Sequence, residues 1–262
     1  METPLILITN DDGIQSPGIA YLIDCVHDMG NIIVMAPTEG QSGKSSAITC
    51  DATISIVDYP SKYPNVKMIG VTGTPTDCVK LGLHLNRENP PTLILSGINH
   101  GSNSSFNVIY SGTMGAALEG CMAGIPSVGF SLLDHSMDAD FTVCGNVIRQ
   151  IVSNVISNGL PKDICLNVNI PAGAEPKGVK VAKSAYGHWT EEYTAIPNAD
   201  GTTSYKLSGR FIEDNPEDPT SDNYWLRHHY ATIVPIRPDQ TDTNSIHIFS
   251  ENYETPDEKS QD

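Results

Sequence analysis

The sequence has few basic residues: 15 Lys and Arg stand against 31 Asp and Glu, a formal net charge of −16 over 262 residues. Sequence-independent binding to DNA or RNA depends on Lys and Arg contacts with phosphates, so this composition excludes a binder of nucleic-acid polymers. The acidity is uneven, because residues 211–262 hold 12 acidic and 3 basic side chains. The charge therefore describes the C-terminal part of the chain more than the N-terminal part.

Long apolar runs and paired cysteines are also missing. No apolar run approaches the roughly 18 residues that would cross a bilayer, and the first residues lack the basic and apolar regions of a signal peptide. The six cysteines are scattered without a CxxC pair and lie mostly within apolar segments. Such cysteines are typical of buried, reduced thiols, which argues against a disulfide framework or a zinc site. We therefore expect a cytoplasmic protein that does not contact membranes.

The first 170 residues alternate short apolar strands with amphipathic helices. Pro17 follows a potential N-cap at Ser16, and Thr74 opens a second helix with the pattern of a capping box. Strands are predicted over residues 5–9, 31–36, 67–72, 92–95, 126–132 and 165–170, and helices over 17–26, 75–85, 114–123 and 144–156. Repeated strand–helix units predict an α/β fold with a mostly parallel sheet and helices on both faces.

The pattern changes after about residue 172. Short β-type runs at 179–185, 193–196, 204–208 and 230–236 are separated by Gly, Asn and Pro. We predict an α/β core over residues 1–172, a β-rich extension over 173–250 that packs on the core and on other subunits, and a polar acidic tail over 251–262.

Three polar loops follow predicted strands, at residues 10–13, 41–44 and 96–103. The carboxyl ends of parallel strands share one edge of a sheet, where ligands bind in open α/β folds. The loops supply two carboxylates, hydroxyls and side-chain amides, which suit Mg²⁺, Mn²⁺ or Ca²⁺ better than Zn²⁺. Asp-Asp-Gly alone is a common turn sequence, so the prediction of a site depends on the convergence of all three loops.

A second candidate feature is the Tyr-Ser-Gly-Thr-Met-Gly segment at residues 110–115, directly before a predicted helix. A helix N-terminus presents free N–H groups to an anion, and hydroxyls of Ser111 and Thr113 add donors for a phosphate. The alternative is that Thr113 is only an N-cap. The segment is not a Walker A loop, and no GxGxxG follows the first strand, which disfavours a nicotinamide-dependent enzyme.

These segments together resemble the SurE (survival protein E) family of metal-dependent 5′/3′-nucleotidases. The resemblance is carried by residues 8–13, 36–43, 73–78, 96–103 and 110–113. It implies a Rossmann-like core with a C-terminal β-hairpin extension used in homodimers or homotetramers. It also implies hydrolysis of nucleoside monophosphates, with cleavage of polyphosphate ends in some members. One Mg²⁺ or Mn²⁺ ion per subunit would be held by Asp11, Asp12, Ser42 and Asn99, and the substrate phosphate by Asn103, Ser111, Gly112 and Thr113.

One loop departs from the family pattern. Residues 38–41 read Thr-Glu-Gly-Gln where the family often has an Asp-Arg pair. The missing arginine leaves Lys44 as a candidate positive group, against the alternative of a solvated loop lysine. His100 and His188 also lie in or near the motif segments, and we interpret both as packing or surface residues.

The predicted mechanism is attack by a metal-activated water, with Asp11 contacting the metal and positioning the water. A phosphatase that forms an aspartyl-phosphate is the nearest rival, but such enzymes need two aspartates separated by one residue, and these are adjacent. Two different functions also fit the same fold: a non-catalytic nucleotide-binding protein, and a broad-specificity phosphatase or exopolyphosphatase.

Overall fold

The computed structural model describes residues 3–136 and 138–254. Strands β1 to β13 are Leu5–Thr9, Asn31–Pro37, Ile56–Tyr59, Val66–Val71, Leu93–His100, Ser127–Leu132, Cys165–Ile170, Val179–Val181, Gly187–Thr190, Tyr193–Pro197, Thr203–Leu207, Arg210–Glu213 and Ala231–Ile236. Helices α1 to α6 are Pro17–Val26, Pro75–Leu85, Gly112–Met122, Gly145–Asn158, Asp222–Arg227 and Ile246–Tyr253, with short 3₁₀ helices at Ser105–Tyr110 and Phe141–Cys144. None of these helices has the length and apolar character that a membrane span requires. The predicted 251–262 tail begins within α6, and its residues 255–262 lie outside the described part of the chain.

A nine-stranded sheet in the order β3-β4-β2-β1-β5-β6-β7-β13-β8 forms the centre of the molecule. Its six strands from β4 to β7 in this order run parallel, while β3 is antiparallel to β4 and β13 is antiparallel to β7. The predicted α/β class with a mostly parallel sheet is confirmed. Strand β3 was not predicted, because its four residues are mostly exposed and carry no apolar pattern.

Helices cover both faces of the sheet, as the alternation of side chains along β1 requires. Ile6 and Ile8 are fully buried and belong to one core cluster with the apolar residues of α1 and α4. Leu7, between them in sequence, points to the other face and belongs to a second cluster with residues of α2. Strands buried on both faces read as continuous apolar runs, which explains the Leu-Ile-Leu-Ile sequence of β1.

The two predicted helix starts differ in detail. Thr74 forms the predicted capping box: its hydroxyl accepts from the backbone N–H of Asp77 at 3.1 Å, and the Asp77 carboxylate accepts from the backbone N–H of Thr74 at 2.9 Å. Ser16 occupies the N-cap position of α1 but makes no side-chain cap. Its hydroxyl instead accepts a hydrogen bond from the Asn10 amide at 2.8 Å, which ties the 10–13 loop to α1.

The region after residue 172 contributes both to the main sheet and to separate hairpins. Strands β8 and β13 complete one edge of the nine-stranded sheet, whereas β10–β11 and β9–β12 form two antiparallel pairs outside it. The predicted antiparallel hairpins are therefore present. The division of the chain at residues 172–173 remains a prediction.

Asp222, at the start of α5, anchors this region to the core. Its side chain is fully buried, and its carboxylate oxygens accept backbone N–H groups from Ser105 and Ala185, each at 2.8 Å, and from Asn223. The carboxylate thus joins the loop that follows β5 to the strand region around residue 185.

We expect the Asp222→Ala substitution to lower the free energy of unfolding by about 3 kcal/mol, because it leaves buried N–H donors without an acceptor. Urea denaturation followed by circular dichroism measures this change. Asp51→Ala, at an exposed position, is the matched control and should shift stability by less than about 0.5 kcal/mol. Equal stabilities of the two variants would refute the anchoring role.

Candidate active site

The structure brings the three polar loops together at the carboxyl ends of β1, β2 and β5. Strand β1 lies between β2 and β5 in the sheet. The backbone N–H of Gln41 donates to the carbonyl oxygen of Asp11 at 2.6 Å, and the backbone N–H of His100 donates to Oδ2 of Asp12 at 3.2 Å. Both aspartates are therefore in direct contact with a neighbouring loop.

Asp11 is a buried carboxylate that contacts the start of α3. Its side chain accepts a hydrogen bond from the Thr113 hydroxyl at 2.6 Å. Burial raises its pKa to about 6; the Thr113 hydrogen bond opposes this change and the charge of Asp12 adds to it. A Cβ atom at position 112 would lie 2.9 Å from the Asp11 Cβ, so Gly112 is the residue that permits this close approach. The Ser-Gly-Thr turn and the Asp-Asp loop therefore form one site.

Asn99 and Asp12 present further oxygen atoms to this site. The Asn99 amide nitrogen donates to the carbonyl oxygens of His100 and Gly101, at 3.3 and 2.9 Å, which uses both of its hydrogens and leaves its side-chain oxygen available as a ligand. Asp12 is half-buried, with burial raising its pKa. Ser42 lies in the exposed 41–44 turn, which the Gln41 hydrogen bond holds beside Asp11.

This donor set fits a hard divalent cation. Across residues 3–136 and 138–254, no group of three or more His, Cys, Asp or Glu side chains is placed to hold a metal. A metal at the Asp11–Asp12 loop would therefore need further oxygen ligands besides the two carboxylates, and the amide oxygen of Asn99 and the hydroxyl of Ser42 are candidates on the adjoining loops. Such an oxygen set matches the preferences of Mg²⁺ and Mn²⁺.

The alternative that Thr113 is only an N-cap of α3 is wrong. Ser111, rather than Thr113, is the N-cap: its hydroxyl oxygen accepts from the backbone N–H of Met114 at 3.0 Å. The Thr113 hydroxyl is free of that role and donates to Asp11 instead. The N–H of Met114 is used by this cap, whereas the N–H groups of Gly112 and Thr113 have no carbonyl partner within the helix and are the ones available to an anion.

Asn103 is held by a buried polar network that sequence reasoning missed. Its backbone N–H donates to Oδ1 of Asn169, its carbonyl accepts from the Asn167 amide, and its own amide nitrogen donates to the Ser131 hydroxyl, each at 2.8 Å. Ser131, Asn167 and Asn169 are fully buried on β6 and β7. The available signal was the alternation of Asn with apolar residues in a strand that is otherwise buried. The network fixes Asn103 and leaves its amide one further N–H.

Lys44 and His100 lie on the loops that form this site, whereas His188 lies on β9. Lys44 is exposed in the 41–44 turn. The half-buried His100 ring packs edge-on against Phe141, with ring centroids 4.8 Å apart, and His188 lies on β9 with its ring nitrogen 3.8 Å from Asp214.

We expect His100→Ala to change kcat/KM for phosphate release by less than about threefold, because the hydrogen bond to Asp12 comes from the His100 backbone N–H, which alanine keeps, and the ring packs against Phe141. Steady-state kinetics on the two proteins measures this ratio, with His188→Ala as a control on an exposed strand. A tenfold loss in His100→Ala at unchanged thermal stability would instead identify His100 as a catalytic group.

The chain is similar to known SurE proteins over most of its length. The family model described as survival protein SurE matches residues 6–191. The chain is 44% identical to the 5′-nucleotidase SurE of Bacteroides fragilis, over 91% of this chain and 93% of that protein. It is 46% identical to the 5′-nucleotidase SurE of Christiangramia forsetii, over 91% and 92%. The crystal structure of the SurE protein from Aquifex aeolicus matches with a TM-score of 0.81 at 30% identity, covering 95% of this chain and 99% of that one.

Proposed function

Because the chain belongs to the SurE family, we propose that it is a nucleotidase that hydrolyses nucleoside 5′-monophosphates to nucleoside and phosphate, with 3′-monophosphates as a second substrate class. Family membership confirms the resemblance found in the sequence. The observation that carries the proposal is the hydrogen bond between Thr113 and the buried carboxylate of Asp11. It joins a helix N-terminus, which favours a phosphate, to a carboxylate that favours a cation.

We assign Asp11, Asp12, Ser42 and Asn99 as the residues that would hold one Mg²⁺ or Mn²⁺ ion per subunit. When bound, the ion supplies positive charge beside the phosphoryl oxygens and lowers the pKa of the attacking water. This assignment rests on the oxygen atoms that converge at the ends of β1 and β5, and on the burial of Asp11 without a cationic partner among its hydrogen bonds.

A second group of residues would bind the phosphate of the substrate. The Ser111 hydroxyl, the N–H groups of Gly112 and Thr113 and the amide of Asn103 would hold the phosphoryl oxygens, since these donors need no Lys or Arg. Asp11 would orient the attacking water. In this scheme the water oxygen bonds to phosphorus and the ester bond to the nucleoside oxygen breaks. The proton that the water loses balances the one that the nucleoside oxygen gains, and no phosphoryl group is transferred to the protein.

A rival scheme uses Asp11 or Asp12 as the nucleophile. Beryllium fluoride mimics a phosphoryl group bound to a carboxylate, so a structure of the protein with this reagent distinguishes the two schemes. Beryllium at bonding distance from a carboxylate oxygen of Asp11 or Asp12 would support the aspartyl-phosphate scheme and contradict ours.

We propose that the protein works in the cytoplasm as a homodimer or homotetramer. All six cysteines are free and five are buried, which suits a reducing compartment. The β10–β11 hairpin exposes Ile196 and Tyr205, large apolar side chains suited to subunit contacts. Light scattering coupled to size-exclusion chromatography tests the assembly, and a monomer at micromolar concentration would contradict it.

The test of function is a screen for phosphate release from 5′- and 3′-mononucleotides and from polyphosphate. We expect the fastest release from 5′-mononucleotides. Nucleotide binding without turnover would establish the non-catalytic alternative. Equal rates on mononucleotides, polyphosphate and simple phosphomonoesters would establish a broad-specificity phosphatase.

A further inference from the structure

A cavity of about 740 Å³ lies directly beside the candidate phosphate site. Three of its lining residues are sequence neighbours of the assigned residues: Gly43 follows Ser42, Ser102 precedes Asn103, and Tyr110 precedes Ser111. The hairpin region forms the opposite wall with Trp189, Tyr193 and Leu207. We call this cavity the aromatic pocket, after Tyr110, Trp189 and Tyr193.

The aromatic pocket is held in place by ring contacts that reach the phosphate turn. Trp189 packs against Phe211 with ring centroids 5.9 Å apart, and Phe211 packs against Phe106 at 6.4 Å. Phe106 belongs to the 3₁₀ helix Ser105–Tyr110, which leads directly into Ser111. The ring contacts therefore run from Trp189 to the segment that precedes the turn that would bind phosphate.

The aromatic rings of the pocket are open to a ligand. Trp189 is 37% exposed, Tyr110 60% and Tyr193 65%. Glu192 is the acidic side chain among the described lining residues, which also include the imidazole of His135 and no Lys or Arg. A pocket of this composition disfavours a second phosphate group, and it favours a flat, uncharged ring system that stacks on aromatic side chains.

We propose that the aromatic pocket binds the nucleobase of the substrate by stacking and so makes the enzyme select nucleotides over other phosphomonoesters. This inference rests on the proposed nucleotidase function and extends it to the residues that recognise the base. Because stacking depends on ring area more than on hydrogen-bond pattern, purine nucleotides are preferred to pyrimidine nucleotides, with little distinction between adenine and guanine.

Two other cavities fit a base less well. The cavity of about 960 Å³ is lined by Pro4, Leu5 and Asn31 at the amino ends of β1 and β2, away from the carboxyl ends where the site lies. The cavity of about 440 Å³ reaches Asp12, but His100 and His135 are the only rings apart from Pro17 among its described lining residues. The aromatic pocket alone, among these three, combines stacking surfaces with contact to the phosphate turn.

The first test compares AMP with ribose 5-phosphate, which has the same sugar and phosphate but no base. We expect Trp189→Ala to lower kcat/KM for AMP by about 5- to 150-fold, mainly through KM, because one stacking surface is lost. The value for ribose 5-phosphate should stay within about twofold, since only the base contact changes. Trp189→Phe, which keeps a ring, should recover most of the AMP value. Tyr193→Ala, on an exposed hairpin, should also lower kcat/KM for AMP relative to kcat/KM for ribose 5-phosphate. This variant tests the pocket if Trp189→Ala does not fold.

The second test uses fluorescence and needs no catalysis. The chain has two tryptophans, and Trp225 lies elsewhere, with its indole N–H donating to the Pro219 carbonyl at 2.8 Å. In Trp225→Phe, adenosine should quench the remaining Trp189 emission in a saturable way; in Trp189→Phe it should not quench. If Trp189→Ala still hydrolyses AMP and the ratio of kcat/KM for AMP to kcat/KM for ribose 5-phosphate is unchanged, the pocket assignment is wrong and the nucleotidase function stands. Saturable quenching without hydrolysis of any nucleotide would keep the pocket and overturn the nucleotidase function.

Discussion

The Asp11→Asn variant should hydrolyse AMP at least about 10³-fold more slowly than the unmodified protein, the largest effect that we expect from a single substitution. The asparagine oxygen can still accept the hydrogen bond from Thr113, so the shape of the site is retained. The negative charge that would bind the cation and orient the water is lost. Steady-state phosphate release under saturating metal measures the effect.

Thermal unfolding provides the necessary control for Asp11→Asn. The substitution removes a charge from a side chain that is only 3% exposed, so the melting temperature should stay the same or rise. The exposed Asp51→Asn variant serves as the matched control and should keep normal activity. If Asp11→Asn retained near-normal turnover, the assignment of Asp11 would be wrong.

Removal of divalent metal should have the second-largest effect. Dialysis against EDTA, followed by removal of the chelator, should lower phosphate release by about 100-fold or more, because the two adjacent carboxylates would then repel the anionic substrate. Added Mg²⁺ or Mn²⁺ should restore activity, and this recovery shows that the chelator did not damage the protein. Full activity of the metal-free protein would contradict the proposed ligands Asp11, Asp12, Ser42 and Asn99.

The parts of the fold set by local patterns were predictable from the sequence. The Leu-Ile-Leu-Ile run of β1 indicates a strand buried on both faces, and the Thr74 capping box gives a helix start with its hydrogen bonds. The general rule for parallel sheets brought the loops at residues 10–13 and 96–103 to one edge. Their meeting at Asp12 and His100 follows from that rule and from no local feature.

The pairing of individual side chains from distant segments was not predictable beyond the meeting of these loops, because the fold rather than the local sequence decides which side chains meet. Thr113 and Asp11 are 102 residues apart, and no local pattern indicates that the Thr113 hydroxyl donates to a carboxylate while Ser111 caps the helix. The alternation of Asn167 and Asn169 with apolar residues indicates a polar face of β7, but their partners are known only when β7 is placed beside β6 and the 102–105 loop. Trp189 likewise contacts Phe211 only because β9 pairs with β12.

The place of β13 in the main sheet has a consequence for synthesis of the chain on the ribosome. Strand β7 pairs with β13 on one side, and β13 must be made before β8 can join the sheet. A nascent chain that ends before Ala231 therefore leaves the edge of β7 unpaired, although all the assigned catalytic residues have already been made. An unpaired edge in an apolar sheet is a template for aggregation. Premature termination upstream of Ala231 is thus expected to give insoluble protein rather than a smaller active enzyme.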